Sequence, residues 1–127
     1  MSTKYILSWF LTPYVEWGIH RGLHYFNESL HIDHHREVRQ KLFKNLDNNN
    51  KKEYWILIAM LITSYFEYYP ITLGLARYGF NHSMIHYTDY KYFENIKKHH
   101  LIHHKNPRFN FAVSDILPDI LFNTYKD

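Results

Sequence analysis

Ten of the chain's eleven histidines fall into a spaced pattern that occurs twice, and this pattern limits the possible folds more than any other feature. The first half reads HxxxH (His20, His24), six residues, then HxxHH (His31, His34, His35). The second reads HxxxH (His82, His86), thirteen residues, then HxxHH (His100, His103, His104). His99 stands outside the pattern. A helix turns about 100° per residue, so on a continuous helix each set of five would lie within an arc of about 100°. One continuous helix cannot bring five imidazoles to a point, because residues 20 to 35 would extend about 22 Å. Metal–nitrogen bonds are only about 2 Å long, and paired metals sit about 3.5–4 Å apart. Either the histidines serve separate sites or the chain folds back. Asn-Glu-Ser at 27–29 offers a break and a new helix start. The expectation is that helices from both halves point inward at one shared cavity. The repeat reads either as a pseudo-twofold pair of half-sites or as coincidence.

Imidazole suits zinc, iron, copper and nickel, and HxxxH places two rings one turn apart on one helix face. With no cysteine in the chain, disulfides, thiolate sites and a cysteine nucleophile are excluded. Ten neutral ligands around two divalent ions leave a cationic cluster that something must offset, either a bridging oxygen or nearby carboxylates. Asp33, Glu16 and Asp89 are candidates to orient a histidine through its second ring nitrogen. For each of them a helix cap or a solvated charge is the plainer reading.

The 127 residues are expected to form one domain, residues 1–127. A net charge of +3 with no basic block points to a solvated or membrane-facing surface and away from nucleic acid. No cleavable signal is expected. Scarce strand-like alternation predicts an all-α chain. The expected helices run from Thr3 through the first histidines with Pro13 able to kink it, over "LHIDHHREVRQKLFKNL", from Glu53 to a break at Pro70, on to Tyr87, and from Asp89 to His104. "DNNNKK" (47–52) is the clearest loop and Asn106-Pro107 a turn, with a short helix capped by Ser114 or Asp115 in the tail. If both histidine sets meet, the segment between them must leave and return on one side. Residues 53–81 are too short for two spans, which need about 40 apolar residues. They would form a short apolar hairpin, dipping partway into lipid or packed as core. Tyr65, Phe66, Tyr68 and Tyr69 are candidates to line an acyl channel, against ordinary core or interfacial packing.

The ordered set HRxxH (20–24), HxxHH (31–35), HxxxH (82–86) and HxxHH (100–104) resembles the fatty acid hydroxylase and sterol desaturase superfamily. The run "NPRFNFAVSDILPDILFNTY" is similar to that family's segment ending in an Asp-x-Leu-Phe-Gly-Thr-like signature, and Glu16-Trp17 ahead of "HR" also fits. The resemblance covers about residues 14 to 125. It implies a compact helical bundle around a dimetal site, associated with a membrane and with the site on its cytosolic side, on an endoplasmic-reticulum-like membrane in a eukaryotic host. It implies as ligands His20, His24, His31, His34, His35, His82, His86, His100, His103 and His104, some of them outside the first coordination shell. It implies two iron ions, with zinc loaded on purification as one outcome, and O2 as co-substrate for hydroxylating or desaturating a long-chain lipid. GxGxxG is absent and no flavin, haem or nicotinamide motif occurs, so electrons would come from an external cytochrome b5-like or reductase partner. Ala112, Pro118 and Asn123 depart from the residues usual at their positions, which are Gly, Trp and Gly. Members usually carry more membrane-spanning helix before the first cluster, so the chain reads as a compact catalytic core. Two other readings stay open: a zinc hydrolase with Asp33 or Glu16 as base, and a non-catalytic metal-binding scaffold derived from such an oxygenase.

Overall fold

The computed structural model describes residues 3–26, 29–44, 54–88 and 90–127. The expected loop at 47–52, the break at Asn27 and the role given to Asp89 lie outside the described residues. The described elements are all helical and form a compact bundle: α1 (Thr3–Tyr25), α2 (Ser29–Lys44), α3 (Tyr54–Tyr65), α4 (Tyr69–Tyr87), a 3₁₀ turn at Lys91–Phe93, α5 (Glu94–Lys105) and α6 (Leu117–Leu121). The short tail helix is present, but its N-cap is Ile116. Asp115 instead accepts a bond from the Leu117 amide at 3.1 Å, and the Ser114 side chain is turned toward α1.

Helices α1 and α4 run side by side in the same direction, in a register that matches the histidine repeat. Ser8 donates to the Pro70 carbonyl 62 residues away, and a Cβ on Gly74 would lie 2.8 Å from Thr12 Oγ1. His20 and His82 share the same offset. The HxxxH pairs of the two halves therefore lie at the same level on adjacent helices. Pro13 does not interrupt α1. It has no N–H to give the carbonyl four residues earlier, and that carbonyl, on Trp9, accepts from Arg77 of α4. The Arg77 guanidinium also sits 4.7 Å from the centre of the Trp9 ring. The proline thus creates an acceptor that ties α1 to α4.

Helices α3 and α4 form the expected antiparallel hairpin, with the Thr63 and Thr72 hydroxyls 2.8 Å apart near its turn. The turn passes through Glu67 at φ 59°. Pro70 occupies the first turn of α4, where a missing N–H costs nothing. Tyr65, Phe66, Tyr68 and Tyr69 are all exposed at this turn. It lies about 12 residues, or roughly 18 Å of helix, from the histidine end. These four residues do not line a channel at the histidines.

The interior is small and unusually polar. Its apolar members include Val38, Ile56, Ile85, Phe111 and Val113, while eight histidines, Glu16, Asn110 and Asp119 are also buried. The outer faces of α1 and α3 are apolar, with Leu7, Phe10, Leu11, Leu57, Leu61 and Ile62 all exposed. Among the described residues, no helix is long and apolar enough to cross a membrane.

Candidate metal centre

The histidines gather at the end of the bundle opposite the hairpin turn, in two adjoining groups. The first comprises His20 and His24 of α1, His31 and His35 of α2, and His103 of α5. The second comprises His34 of α2, His82 and His86 of α4, and His100 of α5. Within each group the donor atoms all lie within 4.8 Å of one another. His104 joins the second group through His100, with their Nε2 atoms 3.0 Å apart. All ten histidines singled out by spacing are thus brought to one place by four helices.

Each half of the repeat lends one histidine to the other's pocket. His34 leaves the first half for the second pocket, and His103 leaves the second half for the first. These two hold equivalent places in the repeat, each being the middle histidine of HxxHH. Neighbouring residues on a helix point about 100° apart, so His34 and His35 face different pockets, as do His103 and His104. The pockets share a wall in which the His35 and His104 rings are 4.4 Å apart.

In the first pocket, four Nε2 atoms close a ring. His24 to His31 is 2.9 Å, His31 to His35 is 3.2 Å, His35 to His103 is 3.1 Å and His103 to His24 is 3.0 Å. The second pocket has edges of 3.2 Å (His82 to His86), 3.1 Å (His86 to His100) and 3.0 Å (His100 to His104). An ion with bonds of about 2.0–2.1 Å to nitrogen holds neighbouring donors roughly 2.9–3.4 Å apart at octahedral to tetrahedral angles. The histidine spacing fits such an ion in both pockets.

The protonation states fit as well. Burial holds His20, His100 and His104 well below the ordinary histidine range, and neighbouring imidazoles push further the same way. His35 is lowered by the same causes, and burial lowers His103 to about 3 against the opposing bond to Phe109. These rings are neutral at physiological pH, the form that binds a metal.

Two rings of the first pocket are aimed by the tail. His20 Nδ1–H donates to the Phe111 carbonyl at 2.5 Å, and His103 Nδ1–H to the Phe109 carbonyl at 2.6 Å. Each bond fixes the tautomer and leaves Nε2 as the donor atom. Among the described residues, buried His20 Nε2 has no hydrogen-bond partner, as expected of a nitrogen meant for a ligand.

A model of the fatty acid hydroxylase family matches residues 5–124. The chain belongs to the fatty acid hydroxylase family. No curated protein and no solved structure matches it. Membership in the fatty acid hydroxylase family brings a lipid hydroxylase-type oxidoreductase function and a dependence on metal at that general level.

The carboxylates take places the sequence did not assign them. Asp33 pairs with Arg36 at 2.9 Å on the outer side of α2. Glu16 is buried, and its oxygens accept from the Val113 amide (2.9 Å), the Ser114 amide (2.5 Å) and the Ser114 hydroxyl (2.7 Å). Burial raises Glu16 to about 7 against those bonds. Asp119, given no role by the sequence, is fully buried. It accepts from His99 (2.9 Å), Trp17 (3.1 Å), Thr124 (2.7 Å) and the amides of Phe111 and Ala112 (2.9 and 2.8 Å). Burial works to raise its pKa, but the donors outweigh it and hold the carboxylate ionised. His99, the histidine outside the repeat, is its partner. Asn110, also fully buried, ties the tail to α5 by donating to the His99 carbonyl at 3.1 Å.

The three departures from the fatty acid hydroxylase pattern are compatible with these positions. Asn123 sits at φ 56°, a left-handed conformation that suits Gly first and Asn next. Pro118 lies in the first turn of α6. Ala112 is fully buried and uses its amide on Asp119.

Proposed function

We propose that the chain is an O2-dependent di-iron hydroxylase or desaturase acting on a fatty-acyl, sterol or related long-chain lipid, with electrons supplied by an external cytochrome b5-like or reductase partner. The observation that carries this reading is the pair of adjoining pockets whose donors are all imidazoles. His20, His24, His31, His35 and His103 would hold one ion, and His34, His82, His86, His100 and His104 the other. When bound, two irons would supply O2 reduction and the cleavage of an unactivated C–H bond. The chain's own part is to keep the imidazoles neutral, to aim them from a buried wall and to exclude water. The apolar faces of α1 and α3 suit shallow contact with lipid, so that the acyl chain is met where it resides. The site would then face the cytosol.

The hydrolase alternative draws no support from its proposed bases. Asp33 is paired with Arg36, and both Glu16 oxygens are engaged by the tail. The test is turnover: protein loaded anaerobically with Fe(II) is given a reductant, 18O2 and a mixture of long-chain lipids, and the products are read by mass spectrometry. Labelled alcohol is expected from a hydroxylase and unlabelled alkene from a desaturase. A fully loaded protein that consumes no O2 with any reductant would refute the oxygenase reading and favour a scaffold.

A further inference from the structure

The tail segment Phe111–Ser114 is held in an arrangement that the metal-centre reading alone does not require. Four successive backbone amides donate to two buried carboxylates from different parts of the chain. Phe111 and Ala112 donate to Asp119, and Val113 and Ser114 to Glu16. Burying two carboxylates is costly unless their acceptor sites are filled, and here the tail backbone fills many of them. The result is a stretch of chain with little freedom to shift. On its inner side the same stretch presents the Phe111 carbonyl to His20 Nδ1, and two residues earlier the Phe109 carbonyl meets His103 Nδ1. Both histidines belong to the first pocket. In the second pocket, His100 Nδ1 and His104 Nδ1 are buried with no hydrogen-bond partner among the described residues, as is His35 Nδ1 in the first, but no ring of the second pocket receives a tail carbonyl as His20 and His103 do among the described residues. The tail therefore supports the two pockets unequally.

We infer that Glu16 and Asp119 are positioning residues for the first pocket alone: they clamp the tail so that its carbonyls aim His20 and His103, and the affinity of that pocket for a metal depends on them while the second pocket's does not. The inference rests on the metal-centre reading above and adds an inequivalence between the two ions. Partners that orient a metal-binding histidine typically change metal affinity by about 10–100-fold when removed. Here the effect is relayed through the backbone and confined to one pocket.

The test uses the full-length chain and Co(II), whose visible absorption reports its nitrogen ligands. His86→Ala weakens the second pocket, so cobalt titration in that background reads the first. His24→Ala does the reverse. Asp119→Asn keeps the size but turns an N–H toward the Ala112 amide, which loses its acceptor. Asp119→Asn should weaken cobalt binding about 10–100-fold in the His86→Ala background and by less than about threefold in the His24→Ala background. The cobalt spectrum of the first pocket should change with it. Equal loss in both backgrounds, or no loss in either, would overturn the inference. If Asp119→Asn lacks the helical circular dichroism of the parent, the same comparison is made with Glu16→Gln, which is subject to the same two criteria. A parent chain that binds no cobalt would overturn the metal-centre reading itself, and the inference with it.

Discussion

Acid should unfold the metal-free protein over a narrow interval just below the ordinary histidine pKa. His20, His35, His100, His103 and His104 are all held below their usual value of 6.5, chiefly by burial and then by neighbouring imidazoles. Unfolding returns them to water and to about 6.5. The unfolded chain then binds more protons than the native one wherever pH is below that value, so native stability is intact above about pH 7 and falls as pH drops through 6.5. One unit below 6.5, each such histidine costs about 1.4 kcal/mol. Five together cost about 7 kcal/mol, of which Glu16, raised by burial to about 7 and so protonated more readily in the folded chain, returns about 2 kcal/mol; the remaining loss of about 5 kcal/mol is set against a total stability of about 5–15 kcal/mol for a typical domain. The helical circular dichroism of chelator-treated protein should therefore disappear cooperatively between about pH 6 and pH 5. Metal binding requires neutral imidazoles, so the loaded protein should survive to lower pH. The measurement is a pH titration of helicity and of the thermal midpoint, with and without metal. A chelator-treated protein whose helicity and midpoint are unchanged from pH 7 to about 4.5, where the same sum exceeds 10 kcal/mol, would refute the reasoning.

Three further predictions test separate parts of the structure. His34→Ala should weaken the second pocket and His103→Ala the first, the opposite of what their places in the sequence repeat suggest; cobalt titration in the single-pocket backgrounds decides. Gly74→Ala should lower the thermal midpoint by an amount corresponding to about 1–3 kcal/mol, because its Cβ would lie 2.8 Å from Thr12 Oγ1, which is itself bonded to the Ser8 carbonyl. Asn123→Gly should preserve stability, while Asn123→Val should cost about 1–3 kcal/mol by forcing a β-branched residue to φ 56°, as read by chemical denaturation.

The helices and the histidine cluster were legible because both depend on short spacings. HxxxH and HxxHH place rings on one side of a helix wherever the helix sits, and Pro70 and Asn106-Pro107 marked two of the breaks. The exchange of His34 and His103 was not legible. An arc of about 100° is compatible with one ion or two, and only the packing of α2 against α5 shows which ring turns which way. Asp119 was visible as part of a tail signature without a role. Its partners His99, Trp17 and Phe111 are 20, 102 and 8 residues away, and no local spacing announces such contacts. Glu16 was flagged for its position one turn before His20, yet it reaches that histidine only through the tail. Tyr65, Phe66, Tyr68 and Tyr69 left two readings open, a channel or interfacial packing, because hydrophobicity does not say at which end of a helix the site lies; their exposure at the hairpin turn agrees with the second.

Ten imidazoles in two adjoining pockets should hold one ion in each. Metal counting combined with X-ray absorption on anaerobically loaded protein tests it directly. Two ions per chain are expected, with nitrogen scatterers at about 2.0–2.1 Å and the outer-shell pattern of imidazole rings. One ion per chain, or two ions with mainly carboxylate or water ligands, would contradict it.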